Sequence, residues 1–321
     1  MVRFSGFTAE DFDAYSPEKW RSNVFNLNRL MVKQKLEHIA PTLLNGVIDA
    51  MEVPGGTLTF GLSSEHPDLW NNHEVKQQHL YFLRPEEERT ALFSRVSRAR
   101  SMGSLLDQPS PYLEHVHLAV TIAQQGLQVR VCIMPEATVD RENVVLKIRD
   151  PWQQSELTSL LNDLAQRFTI SVAGNPHVEA STAIEALSDS ETHSVGQPRQ
   201  LGKADIPILN VARDLDRGDP DIQSDRILDI LQSDLHALIP LYRFIEWRRD
   251  NDHVELGKEL KQEQEVRLRK GLEKNDPVRI TDGLWAGKTG KVQAIEARGQ
   301  VKVLVGTLTV QVKADDLQRI S

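Results

Sequence analysis

One cysteine, Cys132, is all the thiol chemistry that 321 residues contain, which excludes a disulfide framework and any Cys-x-x-Cys redox or zinc motif. No apolar run approaches the roughly 20 residues needed to span a bilayer. The opening MVRFSGFTAEDF has no basic segment followed by an apolar one, so a soluble, cytoplasmic chain is expected. Also missing are G-x-S-x-G, H-E-x-x-H and dinucleotide-binding fingerprints, internal repeats, and any block of five or more like charges. No catalytic residue and no cofactor are expected on these grounds. What is there is ordinary globular material, 40% hydrophobic and 26% charged, long enough for two or three domains.

The first 173 residues read as an α+β domain, an antiparallel sheet with flanking helices. Thr8 caps a helix with Asp11 three residues on, and Ser16-Pro17-Glu18 starts another. Helices are expected to about Leu44, with Phe12, Trp20, Phe25, Leu30, Met31, Leu36 and Ile39 at loose helical spacing as mostly core. Thr57 to Leu62 and Gln78 to Leu83 have strand composition, and Pro85-Glu86-Glu87-Glu88 opens a helix with acids at its positive end.

The clearest element is a hairpin, Tyr112 to Ala123 returning as Leu127 to Met134. Val116, Leu118, Val120 and Ile122 alternate on one face, answered by Leu127, Val129, Val131 and Ile133. Helices at 137–148 and 153–168 and a strand at 169–172 complete the domain.

From 174 to 205 a Ser, Thr, Glu, Pro and Gly shift reads as a linker or flexible loop with room for one short helix. Residues 206–252 read as a helical segment belonging to the body. It has a periodic helix after Asp219-Pro220-Asp221 that breaks near Pro240, making a helical hairpin. Residues 253–274, interleaving Glu and Lys, read as a solvated connector helix, with a short coiled coil as the sharper alternative.

His115-x-His117 is the best candidate for a metal or catalytic site, because residues two apart on a strand share a face, with Cys132 or Arg130 opposite. No third ligand stands at a defined spacing, so the two histidines equally suit the hairpin's solvent side. His66, His73 and His79 form a looser set.

Near the C-terminus GLWAGKT imitates a phosphate-binding loop, but Gly283 to Gly287 encloses three residues where Walker A needs four, and Asp282 occupies the position of the missing glycine. The residues after Thr289 alternate polar and apolar, which is strand periodicity. Short runs VRI, GKVQAI, QVKVLV and LTVQVK, punctuated by glycine turns, point to a small antiparallel barrel.

Residues 275–321 resemble a KOW domain, an SH3-like β-barrel of the kind at the C-terminus of bacterial NusG-type transcription factors. NDPVRITDGLWAGKTGKV matches that family's G-D-x-V-R-V-x-D-G-P-F-A-G-x-x-G-x-V opening, QVKVLV its central strand, and LTVQVKADDLQRI its ending. Asn275-Asp276-Pro277 stands in place of glycine-aspartate and Leu284-Trp285 in place of Pro-Phe. The family's own N-terminal domain is not visible. Separately, FTAEDFDAYSPEKWRSNVFNLNRLMVKQKLEHIAPTL is similar to the opening of an uncharacterised bacterial α+β family, departing at Lys33-Gln34-Lys35-Leu36 and carrying no function across.

The resemblance implies contact with RNA, ribosome or RNA polymerase components. Trp285 at the loop tip either projects as an anchor beside Lys288 and Lys291 or folds back to cap the barrel. Arg279, Leu284, Trp285, Lys288, Lys291 and Lys302 are the candidate partner- or RNA-binding residues. From Asp276 on the chain carries seven bases and five acids, a net +2 against −10 for the remainder. That balance suits weak RNA contact or protein docking better than free-standing DNA binding. A non-enzymatic adaptor, linked to transcription or translation, is therefore expected. The alternative is an enzyme or metal-binding protein with its site near the 112–134 hairpin, the barrel serving for recruitment.

Overall fold

A computed structural model describes residues 4–51, 58–98, 110–189, 207–255, 272–296 and 300–320. The chain divides into two compact units, Met1–Trp247 and Arg248–Ser321, so the body runs well beyond the boundary expected at 173.

Apolar alternation along the expected hairpin produces β3 (His117–Ala123) and β4 (Gly126–Ile133), paired antiparallel with Val129 opposite Val120 and Val131 opposite Leu118. Around them lie β1 (Thr59–Leu62), β2 (Gln77–Leu83), β5 (Thr169–Val172), β6 (Asn175–Pro176) and β7 (Leu209–Asp216), in the sheet order β1-β2-β3-β4-β7-β5-β6. One face of this antiparallel sheet, including Leu80, Phe82, Leu118, Val120, Val129, Val131 and Val211, joins the helices in a single apolar core.

Those helices are α1 (Ala9–Asp13), α2 (Asn26–Met51), α3 (Glu86–Arg98), α4 (Thr138–Lys147), α5 (Pro151–Ala165), α6 (Ala180–Asp189) and α7 (Arg226–Ile245). The capping chemistry is as read at Thr8, and a second cap, not read from the sequence, stands ahead of α5. Asp11 accepts from the Thr8 backbone N–H at 2.7 Å, and Asp150 accepts from Trp152 and Gln153 ahead of α5, with Pro151 in its first turn.

Several expectations change. Residues 206–252 are not helical throughout, because β7 lies among them and fills the gap between β4 and β5. Residues 174–189 are not linker, since α6 buries Ala183, Ile184 and Leu187 in the core; 190–206 lie outside the described residues. Pro240 does not break α7, which runs through it with Leu238, Ile239, Leu241 and Tyr242 all buried. Burial on both sides of the proline outweighs the missing hydrogen bond, and no helical hairpin forms.

Helix α2 is longer than expected, and its buried stripe is Arg29, Val32, Leu36, Ile39, Leu43 and Val47, with Leu30 and Met31 left exposed. Arg29 takes an inward position because carbonyls of Lys19, Ser22 and Glu65 and the side chain of Asn26 accept from its guanidinium. Where α2 passes α7, Gly46 leaves room for Gln232, whose side chain lies 2.3 Å from the place a Cβ would occupy; His236 Nε2 meets the Gly46 carbonyl at 2.8 Å.

Asp140 on α4 is fully buried and joins three distant segments. Its carboxylate accepts from the Arg84 guanidinium at the end of β2, from the Val116 N–H before β3 at 2.9 Å, and from the Trp247 N–H after α7 at 2.8 Å. Glu246 lies 4.0 Å from Arg84 Nε and accepts from the Tyr242 hydroxyl at 2.6 Å. Burial works against the Arg84 cation, but the two carboxylates outweigh it and its pKa is raised.

The second unit is a five-stranded antiparallel sheet of β8 (Pro277–Ile280), β9 (Thr289–Ile295), β10 (Gln300–Val305), β11 (Leu308–Lys313) and β12 (Leu317–Arg319), ordered β11-β10-β9-β8-β12. Val278, Ile280, Val292, Val301, Val303 and Val312 form its core. Among the described strands no pairing joins β11 to β12, so the hydrogen bonding stays open where a closed barrel was expected. The connector helix expected over 253–274 falls mainly on 256–271, outside the described residues, and 253–255 and 272–274 are not helical.

Replacing Asp140 by Ala leaves the Arg84 cation buried without its closest partner. A loss of about 3–5 kcal/mol is expected, measured by denaturant unfolding of the full chain, whereas Arg21→Ala at the exposed Arg21–Glu74 pair is expected to cost under about 1 kcal/mol.

Candidate functional site

The candidate docking loop is built on the β8–β9 connection. Ile280 N–H donates to the Lys288 carbonyl at 2.9 Å and Gly287 N–H to the Ile280 carbonyl at 2.7 Å, which closes the base. Inside it, Ala286 N–H reaches Gly283 O, Lys288 N–H reaches Trp285 O, and the Asp282 carboxylate accepts from Gly283 N–H. Gly283 and Gly287 take φ of +84° and +82°, with open space around both, so the turn uses glycine for its backbone angles and not for packing room.

This geometry separates the two apolar residues of the tip. Trp285 packs against the apolar core of the unit, the folded-back alternative, while Leu284 is 94% exposed. Arg279, Lys288 and Lys291 are exposed and make no ion pair among the described residues. Arg279 and Lys291 project from the same side of β8 and β9, given Pro277 opposite Lys291 and Arg279 opposite Thr289. Lys302 differs from them, because its ammonium pairs with Glu296 at 2.6 Å. The departures at 275–277 are accommodated: Asn275 adopts a φ of +74°, a conformation its short polar side chain tolerates. Asp276 accepts from Arg319 on β12 at 3.0 Å and from Glu273 N–H at 2.8 Å.

Of the candidate histidines, His115 and His117 are buried instead of lining a solvent side, His79 is half-buried, and His66 and His73 are exposed. His115 and His117 are 2% and 0% exposed, and they meet different neighbours. His115 precedes β3 and lies 4.0 Å from Asp140. His117 sits opposite Cys132 and packs edge-on to Tyr81, with ring centroids 5.0 Å apart. His79, from the looser set, approaches Thr121 Oγ1 at 2.8 Å. No group of three or more His, Cys, Asp or Glu among the described residues is placed to hold a metal ion.

Desolvation, then the Arg130 charge, depresses His117 to about 3. The same two causes in the same order lower His79 well below the usual range, and burial followed by Arg84 does so for His115. Burial pushes the Cys132 thiol up to about 11, which makes it a poor nucleophile or metal ligand at neutral pH. The hairpin pattern already placed Arg130 opposite the candidate histidines, but it gave no sign of Asn210, which lies on a strand that the periodicity did not reveal.

No helix among the described residues is long and apolar enough to cross a membrane. No protein-family model matches the chain, and a search of curated proteins finds no match.

All three histidines are neutral in the folded chain and take up protons in the unfolded chain below about pH 6.5. The unfolded state therefore binds more protons as pH falls, and stability is expected to drop from about pH 6.5 toward pH 3, each group contributing up to about 1.4 kcal/mol per pH unit. A His117→Gln variant followed by denaturant unfolding across that range is expected to show a shallower fall. Trp285→Ala is expected to cost about 2 kcal/mol and Leu284→Ala almost nothing, read from thermal unfolding of the full chain.

Proposed function

We propose that the protein is a non-enzymatic adaptor whose C-terminal unit, a KOW-type module by its sequence resemblance, docks on the ribosome or RNA polymerase. The observation that carries this reading is the hydrogen-bonded loop that holds Leu284 almost wholly exposed, on a unit whose Arg279, Lys288 and Lys291 are exposed and make no ion pair among the described residues. An isolated apolar side chain on a hydrogen-bonded turn is a ready anchor for a partner pocket. The surrounding cations steer it toward an RNA-bearing or acidic surface.

The short runs that carry the resemblance fall on β8 to β11, which supports the reading. The net +2 of this segment is too small for binding to rest on phosphate contacts alone, which favours a mixed protein and RNA surface. Under this reading Trp285 holds the loop in shape and Leu284 meets the partner.

Co-sedimentation of the purified full chain with purified ribosomes, and gel filtration with purified RNA polymerase, test the proposal. Binding to one of the two is expected, with Leu284→Ser weakening it about tenfold or more and a Lys288→Glu, Lys291→Glu double variant slowing association and flattening the dependence on salt. Absence of binding to both would sink the reading. Binding that both variants retain would place the docking surface elsewhere on the chain.

A further inference from the structure

The sheet face opposite the helices, where β2, β3, β4 and β7 run side by side, gathers polar atoms that the fold leaves without partners. In one cross-strand row Cys132 sits between His117 and Asn210; in the next row on the same face Arg130 sits between Ala119 and Ala212. The Arg130 Nε, His117 Nε2 and Asn210 Oδ1 atoms are all buried and make no hydrogen bond. Arg130 has no ion pair among the described residues, and the nearby carboxylate of Asp214 already accepts from Gln128 at 2.8 Å.

Orphaned polar atoms in a folded protein require an explanation, and three on one sheet face point to a ligand. We propose that this face binds a small hydroxylated oxyanion of the sugar-acid or sugar-phosphate class, with Arg130 holding the anionic group and His117 and Asn210 accepting from its hydroxyls.

The polarity of each atom supports that assignment. The Nδ1 atom of His117 lies 3.1 Å from the His115 carbonyl oxygen, which can only accept. Nδ1 therefore bears the proton, and Nε2 presents a lone pair that needs a donor. The orphaned Asn210 oxygen is likewise an acceptor. Arg130 offers only donors and a fixed positive charge, in the fork that suits a carboxylate or phosphate. A ligand that accepts at one end and donates at the other satisfies all three.

Ala119 and Ala212 flank Arg130 across the sheet, and both are buried. Tyr81 is itself buried, packed against Tyr112, His79 and the edge of His117, and so fixes the position of the His117 ring. Arg130 and Asn210 are only half-buried, so a ligand reaches them first, with His117 beneath.

The test uses the full chain labelled in its histidine rings, titrated with glycerol 3-phosphate, inorganic phosphate, glycerate and acetate while the His117 ring signals are followed by NMR. One hydroxylated probe is expected to bind saturably and about fivefold tighter than its bare counterpart, the effect of gained hydrogen bonds. Which pair responds distinguishes phosphate from carboxylate. Arg130→Gln is expected to lose about tenfold or more in affinity, and Asn210→Ala to bring the hydroxylated probe down to the bare one. Arg130→Lys, which keeps the charge without the fork, gives weakened binding and serves if the Gln variant does not fold. No saturable shift with any probe, equal affinities within both pairs, or unchanged binding by Arg130→Gln or Arg130→Lys overturns the proposal.

Discussion

The body is organised around one buried carboxylate. Asp140 ties the end of β2, the approach to β3 and the exit from α7 to a single point, and none of these segments is close to another in sequence. A charge with no exposure survives there because an arginine neutralises it and two backbone N–H groups solvate it in place of water. Apolar burial alone would let α7 slide along the sheet without much change in area. The directional bonds fix where its last turn stops, and with it the position of the chain leaving the unit.

The second unit uses a smaller version of the same arrangement. Asp276, nearly buried, takes a hydrogen bond from Arg319 and so links the first strand to the last, across the side of the sheet where β12 pairs with β8. With so small a core, a turn at each end and one directional clamp do work that in the body is spread over seven helices among the described residues. The loop at 281–288 is then free of a structural burden at its outermost residue, Leu284, because Trp285 alone supplies the apolar attachment.

Elements with one clean period were legible in sequence. The β3–β4 hairpin and the faces of its two strands followed from strict alternation, although β3 begins at His117 and not at Tyr112, and α5 begins at Pro151 where Gln153 was expected. Strand β7 was not, because LNVARDLD places Arg213, Asp214 and Asp216 among its apolar residues. Arg213 is held by Asp234 on α7 at 3.0 Å, a partner that local sequence does not reveal. Arg29 misled in the opposite direction: a cation on the inward stripe of α2 shifted the apparent apolar face and made Leu30 and Met31 look buried. The loop residues at 279–291 were found by composition and turn chemistry, but which of Leu284 and Trp285 faces outward depends on tertiary packing. Partnerless atoms, such as those on the far sheet face, have no sequence signature at all.

The place of β7 in the sheet has a consequence for how the chain is made. It enters between β4 and β5, although β5, β6 and α6 all precede it. A chain emerging from its N-terminus therefore has two unpaired strand edges waiting, and the sheet stays in two pieces until residue 216 has been delivered. Closure of so long a loop makes assembly slow compared with the local hairpin. During that interval the edges of β4 and β5 are open to pairing with other chains.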